Sequence, residues 1–195
     1  AFVLALAQNS TRVVEVTPDM PAFEVKVDGM PTDAASSVGK ASLGDRAPKG
    51  GVQGLEGRKM RLSQYARLVD HALRDLLGGR ETPLILAATD PLASIFKGIS
   101  TYPHLAATVI STNPEGMSDA ELASAARGIL DELFQSELKE IHTLFERRTE
   151  EWRTTTDVAH AARAATAGAI GKLLVDIDQV MPGTVDDEGG VTFAE

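Results

Sequence analysis

The sequence has 195 residues, of which 43% are hydrophobic and 24% charged, an ordinary globular composition that excludes a wholly disordered or fibrous chain. This length favours one complete domain plus a smaller or incomplete second one. A net charge of −9 argues against binding of a polyanion by the whole surface, and the absence of cysteine excludes disulfides and thiolate metal sites.

The apolar residues do not predict a membrane protein. Residues 1–7 are too short for the hydrophobic region of a signal peptide and lack a basic flank, and no later run approaches membrane-spanning length. We therefore expect a cytoplasmic protein with no membrane contact. Ala1 is not an initiator methionine, so we expect a fragment or a processed chain.

Three strand-like segments come first, at residues 2–7, 12–16 and 22–27. The turn residues Asn9-Ser10 and Pro18-Asp19 separate them, which predicts a β-meander. In the third segment, apolar and polar residues alternate, which is typical of a strand with one solvated face.

Residues 29–57 have no sustained periodicity and are rich in Gly, Ser, Ala and Pro, which predicts a long flexible loop. Residues 40–61 contain only two acidic residues, Asp45 and Glu56, but six basic ones: Lys40, Arg46, Lys49, Arg58, Lys59 and Arg61. This local excess of positive charge indicates either an RNA-facing element or a linker with scattered basic residues. The same segment contains Gly50-Gly51-Val52-Gln53, where paired glycines allow a close backbone approach to RNA.

An amphipathic helix follows the loop, and Gly78-Gly79 end it. Its predicted inward residues are Leu62, Tyr65, Val69, Ala72, Leu73 and Leu76. Residues 83–88 then read as a buried strand, and Asp90-Pro91 opens a helix through Lys97.

The second half of the chain is predicted to be mainly helical. Residues 105–110 are a strand candidate, and the capping box Ser118/Glu121 opens the longest helix, which runs to about Trp152. Thr156 is predicted to cap an alanine-rich helix that ends near Gly168, and residues 172–177 are predicted to form a buried strand. One helix and one strand cannot bury both faces unaided, so we expect this last domain to be partial.

Few residues predict an active site by themselves. His71, His104, His142 and His160 are far apart and do not have the spacing of zinc ligands, and His71 is expected to be solvated. No Walker loop, Gly-x-Ser-x-Gly elbow or dinucleotide fingerprint occurs, so we expect no metal and no cofactor.

Two pairs of acidic residues are candidates for metal binding. Asp176 and Asp178 could chelate Mg²⁺, although a solvated strand end is the other interpretation. A two-metal nuclease needs inward acids on its early strands, which offer only Glu15 and Glu24.

The order of these elements resembles the bacterial relatives of the archaeo-eukaryotic peptide-chain release factors. The stretches that carry the resemblance are "MRLSQYARLVDHALRDLL", "LILAATD", "YPHL" and "GAIGKLLVDID". The resemblance implies an α/β protein. Residues 1–152 would form an RNase H-like central domain with a mixed sheet and flanking helices, and residues 153–195 would begin a second, ribosomal-protein-like α/β domain.

In the eukaryotic and archaeal release factors the loop after the meander carries Gly-Gly-Gln, which helps water attack the peptidyl-tRNA ester on the ribosome. Here the loop offers Gly50, Gly51 and Gln53, with Val52 interrupting the motif. The leading hypothesis is a translation-associated protein that docks on the ribosome or tRNA through residues 40–61, in ribosome rescue or modulation. Peptidyl-tRNA hydrolysis with Gln53 orienting water is the second hypothesis, and a protein-interaction module that shares only the fold is the third.

Overall fold

The computed structural model describes residues 1–18, 20–41, 55–176 and 178–194, with only the backbone described at 38–41 and 55–56. The chain divides into two compact units, Ala1–Gln135 and Ser136–Glu195. The domain boundary that the sequence places at residue 152 stays a prediction.

The first unit is built on a five-stranded mixed sheet. Its strands are β1 (Phe2–Leu6), β2 (Thr11–Glu15), β3 (Phe23–Val25), β4 (Leu84–Ala87) and β5 (Leu105–Ile110), in the order β3-β2-β1-β4-β5. Strand β2 is antiparallel to both of its neighbours, whereas β1, β4 and β5 are parallel. The predicted meander and mixed sheet are confirmed, and this strand order with one reversed strand is that of RNase H-like sheets.

Four helices and a short 3-10 turn accompany the sheet: α1 (Ala34–Ala41), α2 (Leu55–Leu77), α3 (Leu92–Ile99), the turn Pro114–Gly116 and α4 (Asp119–Glu150). The inward face predicted for α2 is confirmed, since Tyr65 and Val69 are fully buried. Gly79 ends this helix in a left-handed conformation, with a φ of 70°.

Alternate residues of the central strands face two separate hydrophobic cores. On one face, Leu4 of β1 and Leu86 of β4 pack with α2 and α3; on the other, Val3 and Ile85 pack with Leu122 and its neighbours at the start of α4. Since successive side chains of a strand point to opposite faces, β1 and β4 are apolar throughout and are covered on both sides.

The start of α4 is the capping box that the sequence predicts. The Glu121 carboxylate accepts hydrogen bonds from the Ser118 N–H at 2.8 Å and from its hydroxyl at 2.7 Å, and the Glu121 N–H donates to Ser118 Oγ at 3.3 Å. These bonds hold the pKa of Glu121 below its usual range. The capping box places the first turns of α4 where Leu122 enters the second core.

The prediction of irregular structure across residues 29–57 is wrong for residues 34–41 and 55–57. Helix α1 lies inside this range, and α2 begins at Leu55. Asp33 stabilises the start of α1, because its carboxylate accepts from the Ser36 N–H at 2.7 Å and from the Ser36 hydroxyl at 2.7 Å. These bonds hold the pKa of Asp33 below its usual range. Residues 42–54 of the predicted loop lie outside the described residues.

The second unit contains helix α5 (Val158–Thr166) and a hairpin of β6 (Gly183–Val185) and β7 (Val191–Phe193). Gly189 is the tight point of the hairpin: its φ is 81°, and a Cβ there would lie 2.6 Å from the Arg163 Cα of α5. Glycine is therefore required for this close approach.

Two predictions in the second unit are wrong. Asp157, not Thr156, caps α5, since its carboxylate accepts from the His160 N–H at 2.7 Å. Residues 172–176 form no strand, and Leu173, Leu174 and Val175 are all exposed. A strand needs a hydrogen-bonding neighbour, whereas β6 and β7 pair with each other and no described residue pairs with 172–176. Ile177 lies outside the described residues.

Within the described parts of the chain, no helix has both the length and the apolar character needed to cross a membrane.

We expect Leu4→Ala to lower the free energy of unfolding by about 2–5 kcal/mol, because it opens a cavity in a strand covered on both faces. Leu68→Ala on the exposed side of α2 is the matched control and should cost about 1 kcal/mol or less. Urea unfolding followed by circular dichroism measures both. Equal losses for the two variants would contradict the central position of β1.

Candidate nucleic-acid interface

The carboxyl end of β1 holds the starts of both helices that flank the predicted RNA-facing segment. The Ala34 N–H of α1 donates to the Gln8 carbonyl at 2.8 Å. The Arg58 guanidinium at the start of α2 approaches the Gln8 side-chain oxygen at 3.4 Å. Residues 41 and 55, which bound the undescribed segment, therefore belong to helices anchored at one edge of the sheet, the edge where ligands bind in open α/β sheets.

A buried hydroxyl network lies directly beneath this edge. The Tyr65 hydroxyl of α2 donates to the Ala7 carbonyl at 2.9 Å and is in contact with the Thr11 hydroxyl of β2. Burial is the main cause of a raised pKa at Tyr65, and the nearby Asp33 and Glu115 carboxylates add to it. The network ties α2 to the turn between β1 and β2, and so sets the position of the exposed residues one or two turns earlier in α2.

The turn between β1 and β2 and strand β2 also contact the residues just before and at the start of α4. The Glu115 carboxylate accepts from the Asn9 N–H at 3.2 Å. Arg12 of β2 forms an ion pair with Asp119 at 2.9 Å and also donates to the Met117 carbonyl. The turn after β1 is thus held from both faces of the sheet.

The described structure brings together three of the predicted RNA-binding residues. Arg58, Lys59 and Arg61 lie in the first two turns of α2, and all three are exposed. None of them forms an ion pair within the part of the chain that the structure describes. Lys40 lies in α1, where only the backbone is described. The other predicted residues lie outside the described ranges: Arg46, Lys49, Gly50, Gly51 and Gln53.

The positions of these cations run against helix electrostatics. The N-terminal end of a helix carries a partial positive charge, so basic side chains there are repelled and acidic ones favoured. Nevertheless, three of the four residues from Arg58 to Arg61 are cationic, in a protein whose net charge is −9. The arrangement concentrates positive potential at the start of α2, where phosphate oxygens would be attracted.

The acidic residues and histidines considered for nuclease or metal chemistry lie on different elements. Strand β1 carries no acidic residue, Glu15 is half-buried on β2, and Glu24 is exposed on β3. His71 is exposed on α2. Asp176 accepts from the Asp178 N–H at 3.0 Å in an exposed segment. Among the described residues, no group of three His, Asp or Glu side chains is arranged to hold a metal ion.

Sequence reasoning missed the Tyr65 network, although a signal existed. Tyr65 was assigned to the inward face, and a buried tyrosine hydroxyl nearly always needs a partner. The partners, Ala7 and Thr11, are more than 50 residues away along the chain, so only the sheet register identifies them.

The fold and this edge define a mixed α/β domain with RNase H-like strand order, in which two helices at the carboxyl end of β1 bound a basic segment. Residues 1–136 match the model of the Bacterial archaeo-eukaryotic release factor family 11. The chain belongs to this family, as its resemblance to the release factors predicts, and the family indicates a translation-related role. No curated protein matches the sequence.

We expect Tyr65→Phe to lower the free energy of unfolding at pH 7 by about 1–3 kcal/mol, because it leaves the buried Ala7 carbonyl without its donor. Tyr102→Phe is the control and should cost less, since the Tyr102 hydroxyl is only part-buried. Chemical denaturation measures both variants.

The comparison of wild type with Tyr65→Phe also gives a test that depends on pH. Because the pKa of Tyr65 is raised in the folded state, the folded protein keeps this proton at pH values where the unfolded chain loses it. The contribution of the Tyr65 hydroxyl to the free energy of unfolding is full below the ordinary pKa of 10.0 and is lost as the pH rises through the higher pKa of the folded state. The stability gap between wild type and Tyr65→Phe should therefore narrow above pH 10. A gap that stays constant from pH 7 to 11 would contradict the buried hydroxyl.

Proposed function

We propose that this protein is a cytoplasmic translation factor that docks on the ribosome or tRNA, with Arg58, Lys59 and Arg61 at the start of α2 contacting RNA phosphates. Family membership supports the translation-related role. The observation that carries the finer proposal is the exposed position of three cations within four residues, at the end of α2 that borders residues 42–54.

Two further features support this assignment. The Tyr65 hydroxyl is bonded to the Ala7 carbonyl, so the helix that carries the three cations has a defined position on the sheet. The undescribed segment adds Arg46 and Lys49 by sequence, which extends the positive charge beyond the helix. A local cationic surface on an acidic protein favours one defined RNA contact over general RNA binding.

We expect the triple variant Arg58→Gln, Lys59→Gln and Arg61→Gln to weaken co-sedimentation with ribosomes and to flatten its salt dependence. If each cation contacts one phosphate, the slope of log K against log salt should fall by about 2 to 3, since each contact contributes about 0.7 to 0.9. Titration between about 50 and 200 mM salt measures the slope.

The matched control removes the same charge from α4 through Arg127→Gln, Lys139→Gln and Arg147→Gln, all at exposed positions. This variant should keep the wild-type slope. An equal effect of both triple variants would show that only net charge matters. An unchanged affinity of the α2 variant, with ribosomes or tRNA, would overturn the RNA contact and favour a protein-interaction module.

Peptidyl-tRNA hydrolysis is a second candidate, favoured by Gly50, Gly51 and Gln53 in the segment next to α2. The Gln53 amide would orient the attacking water, and the two glycines would allow the backbone to approach the ester. Val52 separates the glycines from the glutamine, so this reading requires a backbone path one residue longer than in Gly-Gly-Gln.

We expect Gln53→Ala to lower the rate of ribosome-dependent peptide release by tenfold or more if Gln53 acts on water, since misplacement of a catalytic group is costly. Release of labelled peptide from programmed ribosomes measures the rate, and Gln135→Ala, at an exposed position of α4, is the control glutamine change. A release rate that is the same for wild type and Gln53→Ala would reject hydrolysis while leaving ribosome docking intact.

A further inference from the structure

A cleft lies at the amino ends of β4 and β5, opposite the candidate interface at the carboxyl end of β1. Its volume is about 540 Å³, within the range of small-ligand sites. The C-terminal half of α2 and the segments that precede β4 and β5 line it, with Leu73, Leu77, Leu84 and Tyr102 among its walls. The cleft therefore offers an apolar lining that belongs to the first unit alone.

The cleft also contains an almost fully buried carboxylate. The side chain of Asp70, which lines the cleft, is 8% exposed. Its Oδ2 accepts from the Arg74 guanidinium at 3.2 Å, and among the described residues Oδ1 has no hydrogen-bond partner. A carboxylate can accept about four hydrogen bonds, and burying its charge is costly unless they are made. Asp70 thus keeps acceptor capacity that is open to the cleft.

The neighbouring arginines do not use this capacity. The Arg74 side chain is 62% exposed, and ion pairs with an exposed partner contribute little. The Arg80 guanidinium lies over the Phe2 ring, 5.8 Å from its centroid, and forms no ion pair with any described residue. Neither arginine completes the coordination of Asp70.

The electrostatics of the cleft favour a cation. Asp70 and Glu81 balance Arg74 and Arg80 in formal charge. The C-terminal ends of α2 and α3 both border the cleft, at Leu77 and Ser100, and each adds a partial negative charge. Because the four formal charges cancel, the two helix ends leave a small negative partial charge in the cleft.

From this combination we propose that the cleft binds a primary ammonium group on a short aliphatic stem, with Asp70 Oδ1 accepting from the ammonium and Tyr102 and Pro103, which keep accessible surface in the cleft, beside the stem. An ammonium is compact and carries three donors, which suits a recessed carboxylate better than a planar guanidinium does. The chemistry is shared by a free alkylamine and by a lysine side chain of a partner protein. The proposal does not rest on the proposed RNA contact.

Binding is tested on the wild-type chain with pentylamine and with an acetyl-Gly-Lys-Gly-amide peptide, followed by the NMR shifts of the leucine methyl groups. N-pentylacetamide and the peptide with acetylated lysine, which lack the charge, are the matched probes. Binding of pentylamine alone assigns the site to free amines, and binding of the lysine peptide assigns it to a protein partner. If neither charged probe binds better than its uncharged analogue, the proposal is overturned.

Three variants test the role of Asp70. Asp70→Asn should weaken binding of the charged probe by about tenfold or more, the usual effect of losing a hydrogen bond to a charged group. Asp75→Asn, an exposed position of the same helix, should leave it unchanged. Arg74→Gln should strengthen binding severalfold because it removes a competing cation, an effect that a merely structural Asp70 would not produce. Weaker binding in Arg74→Gln, with Asp70→Asn unchanged, would contradict the ammonium site.

Discussion

Strand β1 is hydrogen-bonded along both edges, antiparallel to β2 and parallel to β4, and it is covered on both faces. Its five residues are apolar because each one enters one of the two cores. This double burial fixes where the chain leaves β1, at Ala7 and Gln8. Helix α1, helix α2 and the 3-10 turn before α4 are all hydrogen-bonded to residues 7–9, directly after β1.

Two groups of residues in α2 have different roles. Buried contacts such as that of the Tyr65 hydroxyl hold α2 against the sheet. Arg58, Lys59 and Arg61 are exposed and add nothing to the two hydrophobic cores. Cations at the start of a helix oppose its dipole, so their presence is better explained by an external anion than by stability. At the opposite end of the strands, the Asp70 cleft differs, because two acidic side chains there balance two arginines and the Asp70 carboxylate is almost fully buried.

Much of the first unit could be predicted from the sequence because its signals are local. The meander, strand β5, the face of α2 and the Ser118/Glu121 capping box depend on periodicity or on contacts within one helical turn. Some of the failures have non-local causes. Residues 173–175 are apolar but have no described neighbour to pair with, and the partners of Tyr65 and the cleft around Asp70 exist only once distant segments meet. Helix α1 was missed because its composition resembles a loop and only Asp33 marks its start.

Site-specific photo-crosslinking tests most directly the proposed contact between the start of α2 and RNA. A photoreactive p-benzoylphenylalanine at Met60, an exposed residue between Lys59 and Arg61, leaves every cation in place. With ribosomes and tRNA present, irradiation should give RNA-containing adducts from position 60 and none from the same group at the exposed Phe134 of α4. Adducts to protein alone from position 60, or equal RNA adducts from both positions, would contradict the proposed contact.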